Sequence, residues 1–285
     1  MPLSVEAIRE VVGRALAEDA AGDDVTTRWS VPAGLVGAGT VRAKEPGVVA
    51  GLAVAAEAFA QVDPALTVDL RLADGDRVAA GGTLLAVRGP VRSILTAERT
   101  ALNFLQRMCG IATAAAAYVD AVAGLPVRVL DTRKTAPGLR LLDKHAVTAG
   151  GGTNHRRDLA AMVLLKENHV AAAGGIAAAV AAVRAGMAAE GRDLLVDVEV
   201  ETVAEAAEAL RAGASWLLLD NLPLADLRAV VALRGDRPVT LEASGNITLD
   251  TVRAVAETGV DAVSVGALTH SVRALDLTLL LDRST

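Results

Sequence analysis

Six short apolar runs, separated by alanine-rich stretches, limit what this chain can fold into more than any other feature. VRVLD (127–131), AMVLLK (161–166), LLVDVEV (194–200), SWLLLD (215–220), PVTLEA (238–243) and DAVSVG (261–266) each have the length of a strand. The earlier runs recur every 33 to 35 residues and the later ones every 20 to 23. Helical patterns fill the gaps, as in TVAEAAEALRAG, where Thr202 and Glu205 fit a capping box. Strand–helix repetition at this spacing predicts right-handed crossovers and parallel strands. Strands this continuously apolar are covered on both faces. A β/α barrel is the expected closure, with six strands legible and room for one more hidden.

The first hundred or so residues have another rhythm. Val5, Ile8, Val12 and Leu16 mark an amphipathic helix with Ser4 as its N-cap. GDDVTTRW (22–29) reads as a turn into short β segments, VGAGTVRAKEPGVVAG, VDLRLADGDRV and GGTLLAVRG. Gly, Asp and Pro punctuate them, as in a compact, largely antiparallel sheet. The hairpin LADGDRVAAGGTLLAVRGP is similar to those of lipoyl- and biotinyl-type carriers but contains no lysine, so it is read as scaffold. From Ile94 to Val122 the pattern is helical, with Thr96 as cap and Gly110 as a break, and a domain boundary is expected near 108–112.

Composition removes several function classes. Aromatic residues are 2% of the chain, too few for the stacking platforms of single-strand nucleic-acid binding. A net charge of −6 argues against a polyanionic partner. The one cysteine, Cys109, permits neither an internal disulfide nor a thiolate metal cluster and sits in an apolar run. The start MPLSVEAIREVV lacks the features of a signal peptide, and no apolar run reaches the ~18 residues of a membrane span. A cytoplasmic protein with no membrane or nucleic-acid partner is expected.

Against this acidic background the middle of the chain is cationic. Between Asp131 and His169 stand seven Lys or Arg against four carboxylates, with three of the four histidines. In a β/α barrel the reactive groups lie where strands end. The six ends carry Asp131-Thr132-Arg133-Lys134, then Lys166, Glu199, Asp220-Asn221, Ser244-Gly245-Asn246 and Gly266-Ala267. Cations are the wrong sign for the start of a helix unless an anion is bound, so Arg133 and Lys134 point to an anionic ligand. The clusters EASGNIT (242–248) and VSVGALT (263–269) follow consecutive strands and suit a phosphate cup of backbone N–H groups. GGG at 150–152 reads as a flexible loop that lets Asn154, His155 and Arg156 swing over the site. His145, His155 and His169, spaced by 10 and 14, match no zinc pattern.

These motifs together resemble the quinolinate phosphoribosyltransferase family. TAERT (96–100), DTRKTAPGLR (131–140), LLKENHV (164–170), VEVE (198–201), LLLDN (217–221), EASGNI (242–247) and VGALTHS (265–271) carry the resemblance, with AVTAGGGTNHR (146–156) and GDDVTT near the N-terminus. Departures are small: His145 stands where an aromatic residue is frequent, and KENH where KDNH is common. The resemblance implies an N-terminal α/β sandwich domain (1–110) followed by an incomplete β/α (TIM-like) barrel (111–272), with 273–285 packing back on the first domain. It implies phosphoribosyl transfer from phosphoribosyl pyrophosphate to quinolinate with decarboxylation, in a homodimer whose Arg99 enters the neighbouring site. Arg99, Arg133, His155, Arg156 and Lys166 would line the quinolinate pocket, with Lys134 toward the pyrophosphate. The implied substrate contacts further include Thr132, Ser244, Gly245, Asn246, Val265, Gly266, Ala267 and His270. Lys166, Glu199 and Asp220 would be catalytic, with Glu199 and Asp220 holding Mg²⁺ partly through substrate; no organic cofactor is required. Rival readings are a same-fold, molybdenum-associated homologue with another acceptor, a Schiff-base aldolase using Lys166, and a non-catalytic phosphate-ligand sensor.

Overall fold

The computed structural model describes residues 3–282. Two compact units make up the chain. The first combines the residues up to Ala116 with Thr135–Gly151 and the stretch from Ala267 onward; the second combines Ala117–Lys134 with Gly152–Gly266.

The first unit opens with the helix Val5–Glu18, whose first turn is capped by Ser4 Oγ accepting from Ala7 N. Residues 22–29 are not a plain turn. Asp24 accepts from Thr27 N at 2.9 Å and caps a short helix, Val25–Ser30. At six residues that helix is too short to leave an apolar period in the sequence. Five strands follow: β1 (Val36–Ala43), β2 (Gly47–Val48), β3 (Thr67–Leu70), β4 (Arg77–Val78) and β5 (Thr83–Pro90). β5 pairs antiparallel with both β1 and β3, and β2 with β4. Helix Leu52–Val62 buries Leu52, Val54, Ala55, Ala58 and Phe59.

The long helix Val91–Ala121 corrects two expectations. Thr96 does not cap it but lies inside it, donating its hydroxyl to Asp24 Oδ2 at 2.9 Å. Gly110 does not break it. A Cβ there would stand 2.2 Å from the Arg273 carbonyl oxygen, so the glycine serves a close backbone approach.

In the second unit the strands are β6 (Arg128–Leu130), β7 (Val163–Leu165), β8 (Val196–Val200), β9 (Trp216–Asp220), β10 (Thr240–Ser244) and β11 (Ala262–Ser264). Their order is β6-β11-β10-β9-β8-β7, and every pairing is parallel. Leu217, Leu219, Val198 and Leu241 are fully buried, each contributing roughly 1.5–3 kcal/mol by leaving water. No β6–β7 ladder closes the sheet among the described residues. Instead Leu130 of β6 makes a single parallel bridge to Thr153, which is all that stands for a hidden seventh strand.

β12 (Leu277–Leu281) belongs to the first unit and runs antiparallel to β1, with Gly39 opposite Leu281 and Ala43 opposite Leu277. Residues 283–285 of the C-terminal segment lie outside the described residues. Among the described residues no single helix is long and apolar enough to cross a membrane.

Candidate active site

Strand alternation positions this site. Successive side chains on a strand point to opposite faces, so one set from each strand shares the interior of the curved sheet. That set runs Asp197 and Glu199 on β8, Trp216, Leu218 and Asp220 on β9, and Glu242 and Ser244 on β10. At the C-terminal ends of the strands these residues surround a cavity of about 400 Å³. Its lining includes Thr132, Arg133 and Lys134 after β6, His155 and Arg156, Leu164 and Lys166 at β7, and Glu199, Asp220 and Ser244. Leu218, Glu242 and Ser264 complete it.

Two polar anchors organise the walls. Lys166 Nζ donates to Glu199 Oε2 across the mouth, joining neighbouring strands. The Lys166 backbone N donates to His169 Nδ1, so that histidine caps the next helix and is not turned to the cavity lining. Arg156 anchors its guanidinium from behind, Nη1 donating to the Met162 carbonyl at 3.1 Å. Burial and the neighbouring Arg133 lower its pKa below the usual arginine range.

The segment 154–156 does not swing; it is pinned. The Asp131 carboxylate, fully buried, accepts from Asn154 Nδ2 at 2.7 Å and from the His155 backbone N at 2.9 Å. Thr153 exchanges backbone hydrogen bonds with Val129 and Asp131. Gly150 has its own close approach, since a Cβ there would meet the Ala112 carbonyl oxygen at 2.3 Å. The loop after β10 is equally built. Gly245 has φ +88, and a Cβ on it would lie 2.2 Å from Asn221 Oδ1. Asn246 Nδ2 donates to that same oxygen at 2.9 Å, while Asn221 N donates to the Ser244 carbonyl.

Not every expected residue joins the cavity. Arg99 is exposed on the long helix of the first unit, beside Asp19, Asp24 and Thr96. Ala267 and His270 also belong to the first unit. Val265 is buried, which leaves its backbone as its polar offering. His145, in the first unit, faces Asp74 at 2.8 Å.

Comparison with known proteins bears directly on this geometry. Residues 24–109 match the N-terminal domain of quinolinate phosphoribosyl transferase, and residues 111–280 match its C-terminal domain. The chain belongs to the quinolinate phosphoribosyltransferase family. A quinolinate phosphoribosyltransferase [decarboxylating] of Nicotiana glauca is 44% identical over 96% of this chain and 82% of its own length. A nicotinate-nucleotide pyrophosphorylase [carboxylating] of Mycobacterium leprae is also 44% identical, over 96% of this chain and 97% of its own. The structure of the nicotinate-nucleotide pyrophosphorylase from Francisella tularensis superposes with a TM-score of 0.93 at 37% identity, covering 99% of this chain and 98% of that one. These solved relatives share the antiparallel-sheet unit and the parallel-sheet α/β unit described above.

This member of the family also carries polar groups that strand-end reasoning overlooked. Asp197 and Glu242 are fully buried beneath the cavity, each two residues before a strand-end residue. Glu242 Oε2 accepts from Trp216 Nε1 at 2.8 Å and lies 3.1 Å from His155 Nε2; Asp197 Oδ2 lies 3.8 Å from the same nitrogen. Burial raises the Asp197 pKa to about 6; His155 beside it pulls downward, and the Glu242 carboxylate adds to the rise. Burial disfavours charge on His155, and the Asp197 and Glu242 carboxylates beside it act in the opposite direction. The signal that marks them is the period-two register itself: in DVEV and LEAS the residue two before a pocket residue shares its face.

Proposed function

We propose that this chain transfers a phosphoribosyl group from phosphoribosyl pyrophosphate to quinolinate and releases the 2-carboxylate as CO₂, giving nicotinate mononucleotide. The observation that carries this reading is the gathering of Arg133, Lys134, Arg156 and Lys166, with His155 in the floor, around one strand-end cavity. Quinolinate differs from nicotinate by one adjacent carboxylate, so selectivity needs fixed cations for both. Guanidinium forks grip carboxylates in two parallel hydrogen bonds, which Arg133 and Arg156 are placed to do. Lys134, exposed at the mouth, suits the more hydrated phosphates.

Phosphoribosyl pyrophosphate calls for Mg²⁺, a hard cation that takes one or two carboxylates plus substrate oxygens. The donor set fits: Asp220 is half-buried at the cavity wall, with Oδ2 accepting a neutral amide bond from Asn221 at 2.9 Å. Glu199 already holds Lys166, so Asp220 is the better holder of the two. When bound, Mg²⁺ would offset charge on the departing pyrophosphate.

The ring nitrogen of quinolinate attacks the anomeric carbon as pyrophosphate leaves, and positive charge grows on the sugar. Glu199 and Asp220 stabilise that charge as fixed carboxylates. The 5′-phosphate sits on the backbone around 244–246 and 265–266. Once quaternised, the positive ring nitrogen stabilises the electron pair left on C2 as the adjacent carboxylate departs as CO₂; Lys166 and the arginines steady that carbanion until C2 takes a proton from solvent. Arg99, exposed on its helix, completes the neighbouring site of a head-to-tail homodimer working in the cytoplasm. The test is product identification with Mg²⁺, phosphoribosyl pyrophosphate and either pyridine acid. Nicotinate mononucleotide from quinolinate is expected; turnover of nicotinate alone would move the chain to another acceptor.

A further inference from the structure

Two carboxylates buried side by side are costly, and neither Asp197 nor Glu242 reaches the position of a strand-end catalytic group. Burying an ionised carboxylate costs several kcal/mol unless strong donors face it. Apolar residues stand at the positions paired with Glu242 on the neighbouring strands, Leu218 on β9 and Ala262 on β11. Something about His155 requires an oriented acceptor here.

The two ring nitrogens of His155 say what it is. Arg156 N donates to Nδ1 at 2.7 Å, so Nδ1 presents its lone pair in this arrangement. The ring proton is then on Nε2, the nitrogen 3.1 Å from Glu242 Oε2 and 3.8 Å from Asp197 Oδ2. That assignment also argues against a metal ion. His155, Asp197 and Glu242 bring donor atoms within 4.8 Å of one another, but a protonated Nε2 is no ligand. Trp216 fixes the acceptor in turn, donating Nε1 to Glu242 Oε2 and meeting the imidazole edge-on with centroids 5.8 Å apart.

We propose that Glu242, oriented by Trp216, is a positioning residue that faces the Nε2–H of His155 and thereby directs Nδ1 to the Arg156 N–H, aiming both residues at the substrate dicarboxylate. Asp131 does the same from the backbone side, and between the two supports the 154–156 segment has a single register. The inference rests on the quinolinate reading of the pocket and deepens it. It assigns diacid recognition partly to a carboxylate that acts through His155 and Arg156.

Glu242→Met and Glu242→Gln separate orientation from charge. Methionine removes the acceptor, and the Michaelis constant for quinolinate is expected to rise about tenfold, the usual scale for a buried donor left without its partner. That for phosphoribosyl pyrophosphate should stay put. Glutamine keeps an oxygen where Nε2–H and Trp216 Nε1 converge, so it should restore nearly wild-type quinolinate affinity. Imidazole ¹⁵N–¹H spectra of the substrate-free protein report the tautomer directly, with Nε2–H expected in wild type and in Glu242→Gln and lost in Glu242→Met. Should Glu242→Met not fold, Trp216→Phe frees the same carboxylate from above and is expected to raise the quinolinate constant alone. An Nδ1–H tautomer in wild type would overturn the inference, as would a folded Glu242→Met enzyme with unchanged quinolinate affinity or with both substrates equally weakened. Because the spectra need no turnover, a wild type inactive on quinolinate would count against the functional reading and leave the tautomer result to decide this one.

Discussion

Removing either partner of the Arg107–Asp143 pair should destabilise the protein, and by unequal amounts. Asp143 Oδ1 accepts from Arg107 Nε at 2.8 Å and Oδ2 from Nη2 at 2.8 Å, a bidentate fork; Oδ2 also accepts from Ala136 N at 3.1 Å. The Asp143 side chain is 0% exposed, whereas that of Arg107 is 27% exposed. Breaking a buried pair by deleting one partner costs about 3–5 kcal/mol, because the other charge is left without its counterpart. In Asp143→Leu the orphaned guanidinium reaches some water, which places the loss near the low end, about 3 kcal/mol. In Arg107→Met the orphan is a carboxylate sealed from solvent with one backbone N–H left, and the loss should approach about 5 kcal/mol. For a chain of this size each kcal/mol moves the melting temperature by about 2 °C, so drops of about 6 and 10 °C are expected by differential scanning calorimetry. The double variant carries no orphan and should melt above Arg107→Met. Losses that simply add in the double variant, or a larger drop for Asp143→Leu, would refute the reasoning.

Other outcomes are expected on the same physical grounds. Arg133→Ala should fold normally, since the side chain serves the cavity wall, yet lose at least tenfold in quinolinate affinity by equilibrium titration, the scale of a charged hydrogen-bond pair. Burial pushes the Cys109 thiol up to about 12, so it should resist thiol reagents in the native state and titrate as one group per chain in denaturant. If Arg99 serves the neighbouring subunit, inactive Arg99→Ala and Lys166→Ala proteins should regain activity when unfolded and refolded together; no recovery would place Arg99 in its own subunit's site or in none.

The legible part of this fold was its period. Each of the six strands of the second unit falls within or beside the apolar run that marks it, because parallel strands covered on both faces leave an uninterrupted signal. Strand ends likewise place Lys166, Glu199 and Asp220 at one rim with no long-range information. What escaped was set by contacts distant in sequence. Gly110 looks like a helix break until Arg273, 163 residues later, is seen against it. The glycines at 150–152 look flexible until Asp131 is seen holding Asn154 and His155 just beyond them. Asp197 and Glu242 hide because a charged residue within an apolar strand reads as an end or an edge. Only the pairing that puts β8, β9 and β10 side by side shows their carboxylates converging on one imidazole. The short helix Val25–Ser30 was lost for a local reason: its cap is visible, but its length is below any helical period.

The most direct measurement uses quinolinate labelled in the 2-carboxylate. With Mg²⁺ and phosphoribosyl pyrophosphate present, labelled CO₂ and pyrophosphate would be followed together. The proposed dicarboxylate reading of the cavity predicts equal release of both and no pyrophosphate from nicotinate. Pyrophosphate from nicotinate, or release without labelled CO₂, would contradict the assignment of the Arg133–Arg156 cluster to a dicarboxylate.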